Sequence, residues 1–171
     1  MRLADGPQVE STIEIAAPAW KVWDLVSDIA TSVRHSPELQ EVQWLDGADK
    51  PAVGACFVGR NRNGGLGEWQ TVSRIVTIEP ERTFQWEVVY YDARHDNGEP
   101  LSVWTYHIEP TEDGSGTRLK HGMKLGATPG PLHAVIERNP EREEQILDGR
   151  FAMLRTAIDG TLAGVRTEAE A

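Results

Sequence analysis

Two residues on neighbouring strand-like stretches could carry acid–base chemistry, Tyr106 and His121. Imidazole titrates near neutrality, so a positioned histidine can take or give a proton, and a phenol beside it can polarise a ketone oxygen. Arg34 could add a fixed cation. His121 alternates with Leu119 and Met123, and Tyr106 with Trp104 and Ile108. In strands, that spacing points both residues to one face. The plainer alternative is a buried histidine that only bonds Tyr106 or a backbone carbonyl, and both readings stay open. His35, just before Ser36-Pro37, is a further titratable group, either beside a binding site or on an exposed loop.

Other chemistry is weakly supported. His107 with Glu109, and His133 with Glu137, share faces but have no third ligand at a telling spacing. A solvated face explains both pairs, and no metal is expected. Asn63-Gly64-Gly65-Leu66-Gly67 runs into Glu68-Trp69, a strand start rather than the helix start that holds a phosphate. It reads as a hairpin turn, and no cofactor is expected. Cys56 is the single cysteine, which excludes an internal disulfide and a cysteine-rich zinc site. With no activating base near it in sequence, it is expected to be inert.

The elements that must position these groups follow from periodicity. Val9, Ser11, Ile13 and Ile15 alternate with polar residues in a first, half-buried strand that is expected to pair at an edge. Pro18 starts a helix with Val22, Trp23 and Val26 on one face, and Asp28 caps a second short helix to about His35. Strands are expected at Leu39–Leu45, Gly54–Asn61, Glu68–Ile78, Thr83–Tyr91, Ser102–Glu109 and Thr117–Leu125, joined by turn signals into an antiparallel meander. A polar loop is read from Asp92 to Pro100. After the bend Gly126–Pro131 comes a short apolar turn with Leu132, Val135 and Ile136. The last stretch, Asn139–Val165, reads as one long helix with Asn139 as N-cap, Pro140 at its first position, and Thr167–Ala171 frayed. Its stripe of Leu147, Phe151, Leu154, Ile158, Leu162 and Val165 needs an equally long apolar surface.

A curled sheet meets a straight helix closely only at its ends, so a hollow can remain between them. By alternation its walls are Phe57, Gly59 and Asn61; Trp69, Thr71, Ser73 and Ile75; Phe84, Trp86, Val88 and Tyr90; Trp104 and Tyr106; and His121 and Met123. Phe151, Leu154 and Ile158 face it from the helix. Large aromatics with sparse polar groups suit a small-molecule pocket. They also suit plain packing against the helix.

At 171 residues with a net charge of -10, the chain reads as one domain over 1–171 with its core at about 8–165. That charge disfavours nucleic acid and anionic membrane surfaces. No apolar run reaches the roughly 18 residues that cross a bilayer. Met1 to Gln8 lacks the apolar stretch of a secretory signal, so no membrane insertion and a cytoplasmic location are expected. The oligomeric state is not legible.

The wording of several stretches resembles a known group. They are Ile15-Ala16-Ala17-Pro18-Ala19 leading to Val22-Trp23-Asp24-Leu25-Val26-Ser27-Asp28, Val53-Gly54-Ala55-Cys56-Phe57-Val58-Gly59-Arg60-Asn61, Trp104-Thr105-Tyr106-His107-Ile108-Glu109-Pro110, and Gly116-Thr117-Arg118-Leu119. With the element order, they resemble the helix-grip superfamily, which joins START lipid-transfer domains, birch-pollen allergens and the polyketide cyclase/dehydrase group. The resemblance implies an α+β fold, with a seven-stranded curved antiparallel sheet wrapped around a long C-terminal helix and two short helices between the first two strands. It also implies a cavity for an apolar or aromatic molecule, lipid- or polyketide-like. Some relatives cyclise and dehydrate polyketides and others bind lipids, hormones or pigments, so no catalytic set carries over. Where many relatives have Trp before the Ser-Pro, this chain has His35, placing a titratable group near the expected cavity mouth. The leading expectation is a binder. The alternatives are a cyclase or aromatase using His121 and Tyr106, and a protein-interaction module with a vestigial pocket.

Overall fold

The computed structural model describes residues 1–90 and 98–171. Tyr91, expected to end the fifth strand, and the Asp92–Asn97 part of the expected polar loop lie outside the described residues. Seven strands form one antiparallel sheet: β1 (Gln8–Ile15), β2 (Leu39–Trp44), β3 (Cys56–Asn63), β4 (Gly67–Glu79), β5 (Thr83–Val89), β6 (Ser102–Pro110) and β7 (Thr117–Leu125). Their order across the sheet is β1-β7-β6-β5-β4-β3-β2. Short connections force β2 to β7 into a meander, and β1 completes the sheet by pairing with β7. Edges β1 and β2 therefore lie on opposite sides, so the chain between them must cross the sheet. It does so as α1 (Ala19–Val26) and α2 (Thr31–His35).

A register shift between Ile75 and Thr77 marks a bulge in β4, which bends the strand and increases the sheet's coil. The alternating apolar residues all face inward. Val9, Ile15, Ile75, Phe84, Ile108 and Leu119 are buried and join one core with Val22 and Val26 of α1.

A seven-residue helix, α3 (Pro131–Glu137), stands where a single apolar turn was expected. The long helix also differs from expectation at both ends. Asn139 does not cap it, because its side-chain amide donates back to the Val135 carbonyl at 3.0 Å. Pro140–Arg142 forms a separate tight turn, and α4 runs Glu143–Glu170. Those 28 residues span about 42 Å. The expected frayed end is instead docked. Ala169 is 1% exposed, and the Glu170 carboxylate accepts a bond from the Ala16 backbone N–H at 2.8 Å. The apolar stripe packs mainly on β1, with further contact to α1, α2 and β7. The helix thus covers one side of the inner face and leaves the middle strands less covered.

Candidate functional site

The inward side chains of β5, β6 and β7 lie abreast because the register pairs Phe84 with Tyr106, Trp86 with Trp104, Tyr106 with His121 and Trp104 with Met123. The result is an aromatic band. Trp86 and Trp104 are parallel within 4°, with centroids 6.1 Å apart. Tyr106 stacks on His121 at 3.9 Å, and both indoles come within 6.0 Å of the imidazole. Phe84 joins the band at 5.9 Å from Trp86.

Burial across this face is uneven. Ile75, Phe84, Tyr106, Ile108, Leu119 and His121 are buried at the end closed by α1 and α2. Asn61, Trp69, Thr71, Trp86, Tyr90 and Trp104, nearer the other end, are only half-buried although they point inward. Inward indoles in mid-sheet, as Trp86 and Trp104 are, stay half-buried only where the elements above them do not close over them. The less buried end of this face is the one that carries the β3–β4 turn, the end of β5 and α3. Phe57 and Met123 are buried beside it, 7% and 6% exposed, and Phe151, Leu154 and Ile158 are buried in the core on α4. The Tyr90 hydroxyl donates to the Pro129 carbonyl at 3.0 Å at the rim.

Two shallow concavities lie elsewhere. One of about 750 Å³ sits at the closed end, lined by Pro18, Arg82, His107, Glu109 and Thr117. Another of about 320 Å³ lies on the sheet's outer face around Gln85, Thr105, Lys120 and Gly122. Neither is between sheet and helix. On the inner face, the incomplete burial of the aromatics is the feature that bears on a binding site.

His121 and Tyr106 touch face to face, but their polar atoms have different partners. The His121 Nδ1–H donates to the Thr105 carbonyl at 3.0 Å. Burial pushes its pKa from the ordinary 6.5 down to about 4, against the smaller opposing effect of that bond. The ring is neutral at pH 7. The Tyr106 hydroxyl lies 3.3 Å from Ser32 Oγ of α2, and burial lifts its pKa to about 12.

His35 sits away from this band. Its ring lies against Gly164 of α4, leaving no room for a Cβ there, and its Nε2 bonds the Glu168 carboxylate at 2.6 Å. Arg34 holds both oxygens of the same carboxylate, at 2.9 and 3.1 Å, and keeps it below the usual glutamate range. Arg34 thus joins α2 to α4 and does not converge with Tyr106 and His121. His133 Nδ1 accepts from the Gly130 N–H at 3.1 Å. His107 Nδ1 lies 3.4 Å from Thr83 Oγ1. Burial raises the Cys56 thiol's pKa, so it stays protonated and unreactive. Among the described residues no cluster of three or more His, Cys, Asp or Glu could hold a metal, and no helix is long and apolar enough to cross a membrane.

One pair was missed in sequence. Arg150 of α4 grips Glu38 in a fork, Nη1 to Oε1 at 2.7 Å and Nη2 to Oε2 at 3.1 Å. Asn63 donates to the same Oε1 at 2.8 Å. The guanidinium also lies over the Trp69 ring, 5.7 Å from its centroid. This strap ties the helix to the β2–β4 side of the opening. Its sequence signal was a charged residue on the apolar stripe, three positions after Leu147 and four before Leu154.

A sheet wrapped on a long helix, with an aromatic inner face, is the helix-grip arrangement. The chain belongs to the family described as polyketide cyclase / dehydrase and lipid transport, whose model matches residues 7–170. A solution structure of a polyketide-cyclase-like protein from Corynebacterium glutamicum is 31% identical and covers 94% of this chain and 90% of its own, with a TM-score of 0.59. Two di-domain ARO/CYC proteins share the fold: BexL, from the BE-7585A biosynthetic pathway, and StfQ, from the steffimycin pathway. Their TM-scores are 0.69 and 0.68 at 19% and 14% identity. They match 96% and 95% of this chain, which spans 50% of each of theirs. No curated protein matches the sequence.

Proposed function

We propose that this protein binds a small apolar or aromatic molecule between the inner face of its sheet and α4. The observation that carries this reading is the half-burial of inward-facing Trp86 and Trp104. Indoles that could pack fully against the helix would do so, since each carries a large apolar area. Leaving them partly open retains contact area for a ligand, as expected of pockets with apolar walls and few polar groups. Membership of a family that includes lipid transport agrees with it.

A cyclase or aromatase reading ranks second. The stacking of Tyr106 on His121 inside an aromatic site favours it. Against it, a general acid or base works best with a pKa near the operating pH. Here burial moves His121 down to about 4 and Tyr106 up to about 12, both away from neutrality.

Native mass spectrometry of freshly purified protein, with denaturing release of bound material, tests the leading reading. A released apolar compound of a few hundred daltons is the expected result. A bare mass, followed by no thermal shift with any apolar or aromatic compound, overturns it. The His121→Ala variant separates the two readings. A binder loses some affinity, whereas a cyclase loses most of its turnover.

A further inference from the structure

His121 carries a hydrogen-bond acceptor that the protein itself does not use. Its Nδ1–H is committed to the Thr105 carbonyl, which fixes the tautomer and leaves Nε2 with a lone pair. Nε2 has no hydrogen-bond partner among the described residues, although the ring is only 3% exposed. Among those residues no side-chain nitrogen or oxygen is both fully enclosed and unpartnered. Nε2 must therefore open onto space. Since Nδ1 is turned down to the backbone of β6, the far edge of the ring, with Nε2, points from the sheet into the interior.

The surroundings define what could reach it. Tyr106 covers one face of the imidazole, and Trp86 and Trp104 flank it at 6.0 and 5.5 Å. The Tyr106 hydroxyl is turned to Ser32, and the indole N–H groups of Trp86 and Trp104 are donors only, so His121 Nε2 is the acceptor that the rings of this band present. A buried acceptor without a donor is unfavourable, and a ligand that supplies one gains more than the average hydrogen bond. A saturated chain would fill the space without meeting that need, and an ether or ester oxygen would place a second acceptor against Nε2.

We infer that the site selects flat aromatic molecules bearing a hydroxyl, whose O–H donates to Nε2 of His121 while the ring lies along Trp86 and Trp104. This rests on the binding reading above and narrows it from apolar molecules in general to aromatic rings that carry a hydroxyl donor. His121 acts here as a specificity residue, with no proton transferred.

Calorimetric titration with naphthol and with methoxynaphthalene tests the inference, because the two share the ring but only the first can donate. The wild-type protein is expected to bind naphthol about tenfold more tightly. In His121→Phe that preference shrinks to within about twofold, and in His121→Gln, whose amide oxygen can accept, part of it returns. Equal affinity of the wild type for both compounds overturns the selection of hydroxyls while leaving the pocket standing. Binding of neither overturns the pocket reading and this inference together. A tenfold preference that survives in His121→Phe assigns the donor's partner elsewhere and also overturns it. If His121→Phe does not fold, the Nε2 nitrogen resonance of wild-type His121 decides: it is expected to shift with naphthol and not with methoxynaphthalene, and the same response to both overturns the inference.

Discussion

Neutral His121 makes stability depend on pH in a way that can be worked out in advance. The folded ring has its pKa near 4, while an unfolded histidine keeps the ordinary 6.5. Between those values the unfolded chain binds a proton that the folded chain refuses, so stability falls as pH falls. The contribution is fully present above about pH 6.5 and is lost as pH drops toward the folded value. A gap of about 2.5 units corresponds to about 3 kcal/mol, of which about 2 kcal/mol is gone by about pH 5. Carboxylates also weaken the fold in acid, Glu168 among them, so the useful quantity is a difference. Urea unfolding of wild type and His121→Phe from neutral pH to about pH 4, at matched slopes with denaturant, should show the wild type losing about 3 kcal/mol more than the variant. Parallel curves would refute the reasoning, because they would mean that the imidazole is hydrated and protonates freely. If the variant does not fold, the wild-type His121 resonances should still fail to titrate above about pH 5.

Further perturbations test the strap and the helix contacts. Arg150→Met should cost about 3 kcal/mol by stranding the Glu38 carboxylate, with a coupling of about 1–3 kcal/mol in a cycle with Glu38→Gln; a coupling under about 0.5 kcal/mol would mean the pair is screened like a surface bridge. Gly164→Ala should destabilise by about 2 kcal/mol because the methyl overlaps the His35 ring. Adding His35→Ala should restore much of that loss, and a neutral Gly164→Ala would contradict the packing. Trp86→Ala should lower both stability and affinity for aromatic probes, whereas substitution of Trp20, 55% exposed on α1, should change neither by more than about 0.5 kcal/mol.

Local pattern carried most of the architecture. Strict alternation in β5, β6 and β7 placed Trp86, Trp104, Tyr106, His121 and Met123 on one face, and the pairing of β1 at an edge followed from its distance to the meander. The stripe from Leu147 to Val165 identified the long helix because its period is intrinsic to the residues. What escaped notice depended on partners distant in sequence. Asn139 and Pro140 make a sound helix start by type, yet the Asn139 amide is drawn back to α3. Ala169 and Glu170 look like a polar tail until the end of β1 and α1 are brought beside them. Glu38 and Arg150 are 112 residues apart, and His35 finds its place only against a glycine of α4. Each of those is a tertiary contact with no local periodicity to announce it.

The central claim is that aromatic molecules enter the space beneath α4. It is tested most directly by proton–nitrogen spectra of the six tryptophan indoles during titration with naphthol. Saturable shifts are expected at Trp86, Trp104 and Trp69, with Trp20 unmoved. Shifts confined to Trp20, or to backbone signals around Arg82 and His107 at the closed-end concavity, would contradict it.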